Sequence, residues 1–310
     1  MPEKIQSIHL DANESVFFAR QLEEVKARTY DVRYPELKAT QLIPVNTSTP
    51  DAARTITYQQ YDQVGLAKIV GDYAKDFPRC DVKGKEFSSI VKSLGSSYGY
   101  NVQEIRSARL EGFPLEQRKA NAARFAIEQL INRISWFGDA ENQLLGFLNN
   151  PNVPVDTVAA DGTGSSTEFE DKTPQQIVRD MNRLVHGIVE ITKGVEVPTR
   201  LIMPRKQYHY IASTQFSNAS DTTILEFFRN TNMYITDIEA VNELAGAGTA
   251  GADIMVAYNP SSDKLELELP VPFEQFPAQE KGTEFVIFCH ARIGGVIVYY
   301  PLSLSIAEGI

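Results

Sequence analysis

The chain has 310 residues, 43% of them hydrophobic and 23% charged, an ordinary globular balance with ample material for a core. Its formal net charge of −10 excludes a bulk basic surface of the kind phosphate binding needs, and the plain meaning of that charge is solubility. Two isolated cysteines, Cys80 and Cys289, share no metal-ligand spacing. The N-terminus lacks the apolar core of a signal peptide, and no apolar run approaches the roughly 20 residues of a membrane helix.

In chain order, residues 1–50 read as a leader or arm. Asn13 caps a short helix carrying Val16, Phe17, Leu22 and Val25. From Tyr30 to Asp51, Pro35, Pro44 and Pro50 forbid a continuous helix, so this stretch is expected to be extended. Its apolar pegs are Leu37, Leu42, Ile43 and Val45. Such an arm buries little against itself and must lie on the rest of its chain or on a neighbour. Thr55–Asp62 is rich in β-branched and aromatic residues and predicts a strand. A polar stretch over 71–87 follows, then extended chain through Ser88–Leu94 and alternation at Tyr98, Tyr100 and Val102. Together these predict a long hairpin over about 55–105. A lone two-stranded hairpin is marginal in water, and its open edges invite another chain; folding back on its own core is equally open on these residues.

The strongest local signal is FPLEQRKANAARFAIEQLINRISWFGDAENQLLGFLNN, Phe113–Asn150. Ala120, Ala123, Ile127, Leu130, Ile134 and Phe137 recur in steps of three and four, which puts them on one helical stripe. Pro114 suits the first turn and Gly138 the C′ position. The helix is about 23 residues long, a rod of roughly 34 Å. It carries no chemistry and reads as a beam. Residues 151–172 form a polar loop and a subdomain boundary. Thr173-Pro174-Gln175-Gln176 opens a second helix with an N-cap, a first-position proline and a third-position glutamine. Ile177, Met181, Leu184, Ile188 and Ile191 form its stripe and Gly194 its end. Beyond it are expected a strand at Leu201–Met203, helices at Pro204–Ser213 and Thr222–Arg229, and strands at Asp253–Tyr258, Leu265–Leu269, Glu284–Cys289 and Gly295–Tyr300. The mixture is α+β, not a regular alternation.

Little of this chain points to catalysis. Gly246–Gly251 spells GxGxxG, but it precedes a strand instead of joining a strand to a helix, so a small-residue loop is the better reading. His9, His186, His209 and His290 are far apart and none has a partner at ligand spacing. Asp139 and Glu141 follow a helix end, where capping explains them. There is no nucleophile elbow and no phosphate loop. Lys83, Lys85 and Lys92 read first as a solvated hairpin tip and second as contacts to an adjacent subunit.

The order of arm, hairpin, long helix, helix-rich insertion and returning strands resembles the Hong Kong 97-type capsid fold. YDVRYPELKATQLIPV, ITYQQYDQVGLAKI, DVKGKEF, SLGSSYGYNVQEIR and QRKANAARFAIEQLINRISWFGDAENQLLGFLNNPN are similar to motifs of a tailed-bacteriophage major capsid family, including prophage members formerly of unknown function. The resemblance is strongest over Tyr30–Asn152.

It implies an N-terminal arm over 1–50 and a first peripheral part over 51–154, with an extended loop at about 62–95 and a spine helix at about 115–137. It further implies an axial domain over 155–252 and peripheral return strands over 253–310. The implied function is a major capsid protein, not an enzyme, whose copies close into an icosahedral head shell around double-stranded DNA. An encapsulin-like compartment holding cargo enzymes is the alternative. Partners would be many copies of itself in pentamers and hexamers, a portal, and separate scaffolding or decoration proteins. DNA would be held without sequence-specific binding, against an acidic wall, with no membrane and no cofactor or metal. Assembly is expected in the host cytoplasm, and the mature location is the virion capsid. Expected inter-subunit contacts are Leu37, Leu42, Ile43, Lys83, Lys85, Phe87 and Lys92. No scaffolding domain is expected before the arm, and no cross-linking is predicted.

Overall fold

A computed structural model describes residues 34–65, 79–111, 115–217 and 221–310. The helix expected after Asn13 lies outside them. Leu37–Ile310 forms one unit. In chain order it holds α1 (Ala39–Leu42), β1 (Val45–Asn46), β2 (Thr55–Val64), β3 (Asp81–Ile90) and β4 (Lys92–Asn101). Then come α2 (Val102–Glu111), α3 (Leu115–Phe137), β5 (Val155–Thr157), α4 (Pro174–Ile191), β6 (Arg200–Met203), α5 (Arg205–Ser213), α6 (Ile224–Thr231) and β7 (Asp237–Ala240). The chain ends with β8 (Ile254–Tyr258), β9 (Leu265–Glu268), β10 (Val271–Gln275), β11 (Gln279–Lys281), β12 (Glu284–Ile293), β13 (Gly295–Val298) and β14 (Leu304–Glu308).

A five-stranded sheet in the order β5-β14-β8-β6-β7 stands between two cores. Side chains alternate across a strand. Ile254, Val256 and Tyr258 therefore enter one core, and Met255 and Ala257 the other. Ile202 likewise opposes Leu201 and Met203. A strand buried on both faces reads as continuous apolar sequence, which is why Ile254–Tyr258 is IMVAY. The first core is closed by α3, β4, β9, β12 and β13; the second by α4, α5 and α6. The boundary expected at 252 falls inside this sheet, since β8 and β14 pair with β6 and β5. Those two strands were expected to return to the peripheral part; hydrogen bonding joins them to the strands of the insertion.

The long helix spans Leu115–Phe137, as its spacing predicts. Its buried stripe is Ala123, Ile127, Ile131 and Ile134. Leu130 and Phe137, expected on that stripe, are about two-fifths exposed. The stripe drifts because 3.6 residues per turn does not keep strict three-four steps in register. Gly138 ends the helix at φ +69°, and its N–H donates to the Ile134 carbonyl at 2.8 Å. The following turn packs so closely that a Cβ on Gly146 would lie 2.3 Å from the Gly138 nitrogen. Fully buried Trp136 meets Phe147 edge-on at 5.5 Å, and Phe147 meets Tyr258 at 5.0 Å. The second helix carries the expected capping box between Thr173 and Gln176. Val102, expected to extend a strand, instead opens α2.

Candidate assembly interface

Strands β2 and β3 pair over ten rungs, from Thr55↔Ile90 to Val64↔Asp81. At about 3.4 Å per residue the ladder is roughly 34 Å long. The hairpin expected over 55–105 is shorter than that, because the chain leaves it at Val91. β4 then pairs with β12 along its whole length.

The hairpin root is fastened to the body. Tyr58 stacks on Phe87 with ring centroids 5.2 Å apart and meets Tyr299 edge-on at 5.0 Å. The Ser89 hydroxyl donates to the Gly294 carbonyl at 2.8 Å, and the Arg292 guanidinium to the Ala53 carbonyl at 2.7 Å. Burial at this root pushes the Tyr58 hydroxyl above its usual range.

Beyond Tyr58 and Phe87, every residue over 59–64 and 81–86 is exposed. One face of this outer ribbon carries Gln60, Asp62, Lys83 and Lys85. The other carries Tyr61, Val82 and Gly84, with Tyr61 64% and Val82 57% exposed. A Cβ on Gly84 would lie 3.0 Å from the Tyr61 ring, so the glycine leaves room for the ring's close approach.

The stretch over 37–49 is a strap on the chain's own body. The Ala39 N–H donates to Asn132 Oδ1 at 3.0 Å, and Lys38 pairs with Glu239 at 3.2 Å. The Leu42 carbonyl accepts from the Tyr258 hydroxyl at 3.0 Å. Burial is the main cause that pushes this hydroxyl up to about 12. β1 pairs in parallel with β9. Asn46 Nδ2 donates to Glu266 at 3.1 Å and to Glu268 at 3.2 Å, and Thr49 donates to Glu268 at 2.9 Å. Burial holds the Glu268 carboxyl above the usual carboxylate range in spite of these donors.

The expected contact residues therefore divide. Leu42 and Ile43 are 2% and 1% exposed inside the chain's own core, so their burial needs no neighbouring copy. That corrects the inter-subunit placement of these two. Leu37 is half-buried and, with Phe273, lines a cleft of about 280 Å³. Lys92 is half-buried at the start of β4, opposite Ile293. Lys83, Lys85 and Phe87 share one hairpin face, and Lys85 Nζ lies 4.8 Å from the Phe87 ring. Tyr61 and Val82 were not singled out from the sequence, although in DVKGKEF Val82 alternates with Lys83 and Lys85.

The chemical candidates are not assembled into a site. Gly246 and Gly251 take φ of +64° and +80° in a loop before β8, and the Gly246 N–H donates to Asp253 Oδ1 at 2.8 Å. His186 meets Tyr234 edge-on at 5.8 Å, His209 is exposed, and His290 lies 4.0 Å from Glu274. His9 lies outside the described residues. Asp139 accepts from Asn142 and from the Glu141 N–H, which holds its carboxyl below the usual range. Among the described residues no three His, Cys, Asp or Glu side chains are placed to hold a metal, and no helix is long and apolar enough to cross a membrane.

A family model described as Major capsid protein matches residues 65–310, well over half of the chain. The chain belongs to the major capsid protein family. No curated protein matches its sequence. Among solved structures, this capsid family member is similar to the capsid of Myoviridae Phage XM1, with a TM-score of 0.82 at 17% identity, covering 96% of this chain and 99% of that one. It is also similar to the capsid of a native GTA particle (TM-score 0.65, 9% identity, 94% and 96% coverage). A virus-like particle from Pyrococcus furiosus gives 0.52 at 11% identity, with 86% and 91% coverage. These likenesses give the fold, the Hong Kong 97-type capsid fold, and the α+β reading holds with it.

Proposed function

We propose that copies of this chain build the icosahedral head shell of a tailed phage or prophage, closed around double-stranded DNA. The observation that carries this reading is the outer hairpin. It is a two-stranded ribbon exposed on both faces with Tyr61, Val64 and Val82 in solvent. Such a ribbon is marginal alone. Burial on a neighbouring copy stabilises it, and many weak contacts of that kind close a shell together. Tyr61 and Val82 supply the apolar contact, and Lys83 and Lys85 on the other face set which neighbour is accepted.

In this reading the hairpin serves as the extended loop, α3 as the spine helix and the α4–α6 region as the axial domain. Pentamers and hexamers are the assembled units. The net charge of −10 supports a wall that does not grip DNA, since tight phosphate binding would hinder packing and ejection. A portal and separate scaffolding or decoration proteins complete the particle, which assembles in the host cytoplasm. The chain acts as a structural protein without a catalytic step. The family match favours this shell over a cargo-holding compartment.

The test is the Tyr61→Asp/Val82→Asp double variant. Wild-type protein should give closed particles in negative-stain microscopy, and the variant should give soluble, folded subunits only. A wild-type protein that stays monomeric under all assembly conditions sinks the reading.

A further inference from the structure

Helix α4 carries a glycine, Gly187, in its interior. Glycine is the poorest helix former after proline. Neither backbone nor packing among the described residues requires it, since a Cβ there would meet none of them within 4 Å. The position faces a groove of about 470 Å³ between α4 and the β5–β14 edge of the five-stranded sheet. Leu184, Ile188 and Ala307 line it, and exposed Ile191 and Leu302 stand at its rim. A missing side chain over an open apolar groove leaves room for something that is not part of this subunit.

The opposite flank of the same helix carries a matching projection. At 100° per residue, Asn182 lies across the exposed stripe from Gly187 and Ile191, and exposed His186 stands on that stripe at the edge of the groove, which it also lines. Asn182 accepts from Asn232, and His186 packs on Tyr234, which fixes the loop between α6 and β7 there. Met233 sits between those two anchors and is 82% exposed. An unbranched thioether side chain adapts to an irregular apolar slot. The charges agree as well. Exposed Arg229, on the last turn of α6, and exposed Glu190, on the groove, have no ion-pair partner among the described residues.

We infer that Met233 of one copy inserts into the Gly187 groove of the next, with Arg229 facing Glu190 across the contact. The contact uses a knob on one flank and a slot on the other. It is therefore head-to-tail, and such contacts close into rings when the rotation permits. The inference rests on the self-assembly reading and adds to it a second interface, separate from the hairpin.

The test uses the full chain. Gly187→Leu improves helix propensity and fills the slot. The urea midpoint of unassembled subunits should hold or rise while the yield of shells, by sedimentation and microscopy, falls at least about tenfold. Met233→Asp should lower shell yield in the same way. For direct contact, Gly187→Cys/Met233→Cys is placed on a Cys80→Ser background, which removes the exposed cysteine among the described residues. Oxidised wild-type-like particles should give a ladder of disulfide-linked dimers and higher species, and neither single cysteine variant should. Shells at full yield from Gly187→Leu, or shells from the cysteine pair without a ladder, overturn this contact and leave the shell reading standing. No shells from wild type overturns both.

Discussion

Tyr58 and Phe87 stack at 5.2 Å with their planes 15° apart, and this pair marks the line where the β2–β3 hairpin leaves the body. On the inner side Tyr58 and Ser89 are tied to Tyr299 and Gly294, and Arg292 holds Ala53 just ahead of β2; on the outer side every residue over 59–64 and 81–86 is exposed among the described residues. Tyr58→Ala removes both ring contacts. It should cost the subunit about 1–3 kcal/mol and speed proteolytic cleavage within 55–90. Limited proteolysis with a urea titration checks this; an unchanged cleavage rate would mean the aromatic pair does not hold the root.

The outer hairpin should separate assembly from folding. Tyr61→Asp/Val82→Asp changes two exposed side chains, so subunit stability should stay within about 0.5 kcal/mol of wild type per substitution. Particle yield should collapse. Equal loss of both would mean the ribbon has a structural role within its own subunit.

Leu42 is buried in the first core and not at the surface of an arm. Leu42→Ala should therefore cost about 2–5 kcal/mol in the isolated subunit, before any assembly step. Chemical denaturation measures it directly. A cost under 0.5 kcal/mol would return this residue to an inter-subunit role.

Lys172 and Asp180 form a buried pair at 2.6 Å, with side chains 0% and 2% exposed, and Arg179 shares the aspartate at 2.6 Å. Asp180→Ala leaves buried Lys172 with only the longer contact to Asp161, at 3.7 Å, and should cost about 3–5 kcal/mol. Lys172→Met/Asp180→Leu should recover most of that loss. A double variant as unstable as the single one would show that the pair's geometry, not charge compensation, matters here.

Glu268 has a folded-state carboxyl raised above its unfolded value, chiefly by burial. The sign follows from linkage: its favourable contribution is present below the unfolded pKa and is lost as pH rises through the folded one. Glu268→Gln keeps the shape without the charge. It should raise the urea midpoint relative to wild type at pH 7, with the difference shrinking toward pH 4. A difference that is flat in pH would remove ionisation as the cause.

Much of the fold was legible because its signals are local. The stripe of α3, the Thr173–Gln176 capping box and the glycine stops at Gly138 and Gly194 depend on residues within a turn or two. The strands of two and three residues, β1, β5 and β11, and the edge strand β7 were not legible. Too few residues are present to show a period, and only their partners make them strands. The assembly surface was half legible: lysines at 83 and 85 advertise exposure, whereas Tyr61 and Val82 read equally well as core.

By itself the amino-acid order determined the two long helices and most of the long strands, that no catalytic cluster is spelled out, and that a long hairpin precedes a long helix in the chain. Tertiary structure alone decided which apolar residues remain open to a neighbour. Leu42 and Met233 are both apolar residues next to helix ends, yet one is 2% exposed and the other 82%. Hydrophobic driving force is the same for both and carries no direction. Only the three-dimensional placement of the first core, with the Tyr258 hydroxyl on the Leu42 carbonyl, around the first, and of open solvent around the second, separates a core residue from a contact.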